Sequence, residues 1–223
     1  MINYFFSNKD DKNIAFHMQD SKKDVEKNRL CLSEKNGFQL ENLKYMNQTH
    51  SANIHVVNAN SQALQENCDA LICNNIGVSL MVMVADCIPV LLYDESNKVI
   101  AVAHAGRNGT FLNITQRTVQ KMITEFSCKE ENIHIVLGPS IQKCCYEVSL
   151  EMENTVINKF GLEFTHNRYI DLQEINKKQL TDTGIRASNI VVSKICTKCS
   201  GENYYSYRLD NKCGRFAGVI SLS

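Results

Sequence analysis

Apolar residues run almost unbroken from Val78 to Val84, and a second run begins at Val90. Runs of this length, bounded by turn residues, predict strands buried on both faces. Shorter strands are predicted over Asn53–Val57, Asp69–Cys73 and Val90–Asp94, with Lys98–His104 following a turn at Glu95-Ser96-Asn97. The period then changes. Leu112, Ile114, Val119, Met122, Ile123 and Phe126 recur at helical spacing and predict a helix over Gly109–Phe126. Asn132–Leu137 reads as a strand ending at Gly138-Pro139. Leu150–Phe160 and Leu172–Thr183 read as helices, the second with Asp171 as its N-cap. Asn189–Val192 and Phe216–Leu222 read as closing strands. Up to Leu43 the chain is polar and irregular, with one helix through Asp20–Leu30. Irregular alternation with adjacent, hairpin-like strands predicts an α+β fold, a mixed β-sheet packed with helices, over a doubly wound one.

Only two prolines occur in 223 residues, and no linker, repeat or low-complexity tract divides the chain. The expectation is a single domain over residues 1–223, with 1–43 an N-terminal extension of it. A domain of this size buries roughly 70% of its unfolded surface and needs no disulfide staples. With 24 basic and 24 acidic residues and no basic stripe, nucleic acid and anionic membrane are poor partners. The longest apolar run falls well short of the ~20 residues of a membrane span. Without an export signal, the ten cysteines imply reduced thiols and a cytoplasmic location.

Candidate chemistry centres on Cys87, flanked by His50 and His104 at turns or strand ends. One thiolate and two imidazoles hold a zinc ion while leaving its fourth position free, the logic of a catalytic site. The intervals of 37 and 17 positions are too long for a zinc finger, so the fold would have to assemble the trio. Spacing alone is a weak signal, because buried core histidines and a packed thiol are the commoner explanation.

The local words are more specific. In order they are Gln48-Thr49-His50, Asp69-Ala70-Leu71, Ala85-Asp86-Cys87-Ile88-Pro89-Val90, Ala103-His104-Ala105-Gly106, Gly138-Pro139-Ser140-Ile141-Gln142-Lys143-Cys144-Cys145-Tyr146-Glu147-Val148, and Tyr205-Ser206-Tyr207-Arg208 with Gly214-Arg215. Together they resemble the YfiH-like family, once called polyphenol oxidase or laccase-domain proteins and now described as purine nucleoside phosphorylases that also deaminate adenosine. The resemblance implies a single α+β domain and zinc held by His50, Cys87 and His104. It also implies phosphorolysis of adenosine, inosine, guanosine and methylthioadenosine, with hydrolytic deamination of adenosine. The family's usual His-Ala-Gly-Trp-Arg-Gly is here His104-Ala105-Gly106-Arg107-Asn108-Gly109, and Ser51 replaces a glycine. Metal binding is therefore the safer expectation, and phosphorolysis the less secure.

Within that reading, zinc lowers the pKa of bound water toward ~7, and Asp86 is a proton-shuttle candidate by position, provided a turn brings it to the site. Arg107 with the backbone around Gly106–Gly109, and Arg208, are candidate phosphate clamps. Gln48 and Asn108 are candidates for holding base or ribose. The family shares the Cys144-Cys145 pair, which implies Cys145 at the pocket wall. Cys196-Thr197-Lys198-Cys199 with Cys213 suggests a second zinc site without an evident fourth ligand, and unrelated thiols near a loop are the simpler reading.

Three alternatives stand beside this. A laccase needs a trinuclear copper cluster in addition, and six histidines are too few. A cysteine or zinc amidase, with Cys87 as nucleophile and His104 as its base, suits the link of the family to peptidoglycan-precursor editing. A non-catalytic zinc-binding protein would close the fourth position.

Overall fold

In the computed structural model, which describes residues 1–201 and 203–223, the apolar runs become the centres of two stacked sheets. The first sheet contains β1 (Ile2–Phe6), β2 (Leu43–Met46), β4 (Leu64–Gln65), β6 (Ser79–Val84) and β13 (Phe216–Leu222). The second contains β3 (Ile54–Val56), β5 (Ala70–Cys73), β7 (Ile88–Asp94), β8 (Val99–Ala105), β9 (Ile133–Leu137) and β12 (Ile190–Val192). Their strand orders are β1-β13-β6-β2-β4 and β12-β9-β7-β8-β5-β3, and both sheets mix parallel with antiparallel pairs. A small hairpin pairs β10 (Thr165–His166) with β11 (Tyr169–Ile170).

Alternation along the strands divides the core into layers. From β6, Leu80, Val82 and Val84 point between the sheets, while Met81 and Met83 face the opposite side. From β8, Ile100 and Val102 enter the inter-sheet layer, whereas Val99, Ala101 and Ala103 face the helices. Both faces of both strands are covered, which is why their sequences read as continuous apolar runs. Helix α1 (Lys22–Asn36) packs on the outside of the first sheet through Leu32. Helices α3 (Ile114–Phe126), α4 (Leu150–Phe160) and α5 (Leu172–Asp182) cover the outside of the second. The result is a four-layer α/β/β/α arrangement, which bears out the α+β expectation.

Several local expectations change. Residues 1–43, polar and irregular in sequence, contribute a strand and core residues: β1 pairs antiparallel with β13 over five positions, and Ile14, Leu32 and Phe38 sit in one core layer with Met81 and Val219. Helix α1 is longer than predicted. Ser21 caps it through Asp24 N at 3.1 Å, and Gly37 ends it in the left-handed conformation at φ 70°. The predicted helix over Gly109–Phe126 is two: α2 (Arg107–Phe111) and α3, separated where Asn113 takes φ 59°. Gln179 of α5 donates to Asn113 Oδ1 at 2.9 Å, so a tertiary partner holds the break.

The packing of β1 generates a test. A Cβ on Gly138 would lie 2.3 Å from the Phe6 ring, and one on Gly218 would lie 3.0 Å from it, so Phe6 joins β1 to both sheets. Phe6→Ala should cost about 2–3 kcal/mol, below the ~3–5 of a fully buried Phe. Urea denaturation measures this, and an unchanged midpoint would make the N-terminal segment a mere appendage.

Candidate metal centre and active-site cavity

The site forms where the ends of β6, β7 and β8 meet the loop after β2. His104 lies on the inter-sheet face of β8, in step with Ile100 and Val102, and is 4% exposed. Cys87 stands at the start of β7, after a turn in which Asp86 adopts φ 83°. His50 comes from the loop between β2 and β3, also left-handed at φ 58°, and is exposed. The three ligand atoms all lie within 4.8 Å of one another. Zinc–nitrogen and zinc–sulfur bonds of about 2.0–2.3 Å in tetrahedral geometry need separations of roughly 3.3–3.6 Å, which lie inside that bound.

Asp69 organises the trio. Its carboxylate is fully buried and accepts from the backbone N–H groups of Thr49 (3.1 Å), His50 (3.1 Å) and Ser51 (2.7 Å), and from Ser51 Oγ at 2.7 Å. Its Oδ1 also accepts from His104 Nδ1 at 2.8 Å, leaving His104 Nε2 to face Cys87. Such a carboxylate–histidine pair fixes ring orientation and raises ligand basicity. Ser51, where the family has glycine, is thus part of this support. Gly106 supplies space: a Cβ there would sit 2.7 Å from Cys87 Sγ and 3.6 Å from His104 Nε2, inside the ligand set. A soft thiolate, two imidazoles, a carboxylate bonded to one of them and this reserved space all fit a metal ion.

Electrostatics support a charged pair. Burial alone would raise the Cys87 thiol, but the adjacent charge of His104 and hydrogen bonds from His104 and His50 bring it down to about 6. Burial would lower His104; the Cys87 charge and the Asp69 bond outweigh that and lift it to about 9. Asp69 is pulled far below the usual carboxylate range, against its own burial, by His104 and Ser51.

The trio lies in the wall of an open cavity of about 750 Å³, within the range of small-molecule sites. Of the predicted residues, Gln48, Asp86, Arg107, Asn108 and Arg208 line it too. Cys145 does not; its thiol lies with Cys144, Cys196 and Cys199 instead. Nor does Cys213 join Cys196 and Cys199: its sulfur lies beside Arg215 Nη1. Gln48 grips strand β6, its amide donating to Met83 O at 2.8 Å and accepting from Met83 N at 2.9 Å. Asp86 does reach the cavity through its turn, but both carboxylate oxygens are engaged, by Thr197 Oγ1 and by the Arg208 N–H, each at 2.7 Å.

Sequence reasoning missed several wall residues, including His17, Tyr146, Tyr207 and Arg215. Arg208 lies over the Tyr146 ring at 4.9 Å and donates to Glu147 O at 3.0 Å. Burial first, then the charges of Arg215 and Arg29, lower the His17 pKa. The words at Gly138–Val148, Tyr205–Arg208 and Gly214-Arg215 contain Tyr146, Tyr207 and Arg215, whereas no sequence signal marks His17.

A four-layer α/β/β/α fold with a Cys-His-His donor set at a cavity wall defines a metalloenzyme-like site. Residues 6–223 match the family described as multi-copper polyphenol oxidoreductase laccase, and the chain belongs to it. A purine nucleoside phosphorylase of Clostridium acetobutylicum is 35% identical over 192 residues, covering 83% of this chain and 79% of that protein. An adenosine deaminase from an unknown prokaryotic organism is 32% identical over 209 residues, covering 86% and 79%. A mouse purine nucleoside phosphorylase is 30% identical over 92% of this chain, which spans only 49% of its length. Among solved structures, YfiH of Bacillus licheniformis superposes with a TM-score of 0.93 at 26% identity, covering 100% of this chain and 93% of that one. YlmD of Geobacillus stearothermophilus gives 0.88 at 29%, covering 94% and 84%. The family description names a multicopper enzyme, yet six histidines cannot furnish a trinuclear cluster beside this site. No helix among the described residues is long and apolar enough to cross a membrane.

Asp69→Asn should weaken metal binding at the trio by about 10- to 100-fold, measured by competition with a chelating dye; unchanged affinity would remove Asp69 from the support. In metal-free protein, alkylation of Cys87 should be half-maximal near pH 6, on the acid side of a free thiol at ~8.5, because only the thiolate reacts and its pKa is lowered. His104→Ala should move that profile toward higher pH, because burial then acts with less opposition. Peptide mass spectrometry across pH reads both.

Proposed function

We propose that this chain is a zinc-dependent purine nucleoside phosphorylase with adenosine deaminase activity, acting on adenosine, inosine, guanosine and methylthioadenosine. The observation that carries the reading is the meeting of His50, Cys87 and His104 in the wall of a cavity also lined by Arg107, Arg208 and Arg215. The names of the relatives point the same way. Zinc on the trio would supply a Lewis acid and an acidified water, the chemistry that deamination at adenine C6 uses.

The remaining roles belong to the chain. Phosphorolysis joins a phosphate oxygen to ribose C1′ while the glycosidic bond breaks, its electron pair leaving with the base, which takes up a proton. An anion site beside C1′ is therefore required, and the exposed guanidinium of Arg107, with Arg208 across the cavity, meets that need. Arg107 stands one position ahead of the family's arginine; its Nε donates to Asn108 Oδ1 at 3.4 Å, which keeps the pair at the rim together. Tyr146, half-buried in the cavity wall near Cys87, offers a face for the purine. Asp86 acts by position: it ties the segments of Thr197 and Arg208 to the turn before Cys87, in place of the proton-shuttle role its sequence position suggested. Gln48 likewise shapes the wall through Met83.

One observation favours a second reading. Cys87, His104 and Asp69 form a thiolate–imidazole–carboxylate line of the kind that serves a cysteine amidase. His50 argues against it, since a nucleophilic triad has no use for a second imidazole at the thiol, whereas a metal does.

Zinc-loaded protein incubated with adenosine and phosphate should yield adenine and ribose 1-phosphate, with inosine marking deamination, and Cys87→Ala should yield neither. Arg107→Ala should raise the phosphate KM by about tenfold or more, as loss of a charged hydrogen bond implies. No turnover by fully loaded enzyme would reject the nucleoside reading and bring the amidase forward.

A further inference from the structure

The long segment from 193 to 215 has no helix or named strand among its described residues, yet it supplies Tyr207, Arg208 and Arg215 to the cavity and Thr197 to Asp86. Structureless connections of more than about 12–15 residues are uncommon inside compact domains and need something to hold them. Hydrogen bonds supply a little. Ser140 and Cys196 form an isolated parallel bridge, Thr197 N donates to Ser140 O at 3.0 Å, and Gln142 Nε2 donates to Ile195 O at 3.3 Å.

At this junction four thiols converge from the two loops. The sulfurs of Cys144, Cys145, Cys196 and Cys199 all lie within 4.8 Å of one another. All four are free cysteines. Cys144 and Cys199 approach to 3.5 Å, far beyond the ~2.05 Å of a disulfide. That separation is close to the edge of a tetrahedron of sulfurs about 2.3 Å from a central zinc, roughly 3.8 Å. Cys196 and Cys199 form a C-x-x-C turn closed by Ser200 N donating to Cys196 O at 3.1 Å.

We propose that Cys144, Cys145, Cys196 and Cys199 form a second, structural metal site that holds one zinc ion through four thiolates. Four soft sulfur donors in one small volume select zinc or an iron–sulfur cluster among common metals. A cluster distributes its thiolates over two or four irons and spreads them further than a single ion does, so the compact set fits zinc. Binding forms four sulfur–zinc bonds and releases the thiol protons to solvent. The exposed Cys144 and Cys199 give the ion its route in, and the buried Cys196 anchors it. With all four positions filled by protein, the site has no place for substrate, in contrast to the three-ligand centre. Its work is to staple the loop of Tyr146 to the segment of Thr197 and Arg208. The inference stands on the cysteine geometry alone and does not depend on the nucleoside reading.

The experiment is zinc quantification by mass spectrometry on protein kept in a phosphine reductant, with Cys87→Ala/His104→Ala isolating the second site. That variant should retain one zinc per chain. Loaded with cobalt(II) in place of zinc, it should show the intense sulfur-to-cobalt absorption and visible bands of a tetrahedral tetrathiolate. Cys144→Ser/Cys199→Ser should lose one equivalent relative to wild type while keeping the His50, Cys87 and His104 equivalent. Should this second variant fail to fold, the first decides alone. A folded Cys87→Ala/His104→Ala protein that takes up neither zinc nor cobalt overturns the proposal. So does a Cys144–Cys199 disulfide in protein purified without oxidant that carries no metal at these thiols.

Discussion

A single buried carboxylate sets the geometry on which the candidate centre depends. Asp69 is fully desolvated, and isolated in such a place it would be strongly destabilising. Its oxygens instead accept from three consecutive backbone amides, from the Thr49 and Ser51 hydroxyls and from His104. Those bonds reach two histidines from different parts of the chain. They draw the Thr49–Ser51 backbone around the carboxylate, which accounts for the left-handed conformation of His50, an unfavourable one for a residue with a Cβ. The same carboxylate orients the His104 ring, and His104 in turn stabilises the Cys87 thiolate. Charge alternates along this line as Asp69, His104 and Cys87, so each member is held in the state a metal ligand needs.

What the sequence made legible follows from which forces were local. Strands β6, β7 and β8 were readable because both of their faces are buried, leaving no polar face to break the run. Helix α4 was readable to the residue because its capping Ser149 and terminal Gly161 are local signals. Strand β1 was not, since none of its residues is fully buried and their exposure follows no two-residue period, and only pairing with β13 makes it a strand. The break at Asn113 was hidden for a similar reason: its cause, Gln179, lies on another helix.

The candidate centre shows the same division. His50, Cys87 and His104 were singled out by the words around them and not by their intervals, and Asp69 appeared as part of such a word without its role being visible. Roles assigned to Gln48 and Asp86 looked outward to a ligand, because a sequence does not show that Met83, Thr197 and the Arg208 backbone already engage these side chains. The four clustered cysteines were the least legible feature. Cys144 and Cys145 are separated from Cys196 and Cys199 by two α-helices, a hairpin and strand β12, and nearness in the chain made Cys213 seem the better companion.

Strand β13 lies between β1 and β6, although β1 is the first strand of the chain and β13 the last. During synthesis β1 therefore has no partner in the first sheet until β13 has left the ribosome. The second sheet is under no such restriction, because its last strand, β12, adds at an edge beside β9. Cys87, His104 and Asp69 are thus all made long before the surface that closes over the inter-sheet layer arrives. Until β13 is made, a nascent chain carries much of its apolar interior uncovered beside Cys87, which makes that the period of greatest exposure to oxidants and to self-association.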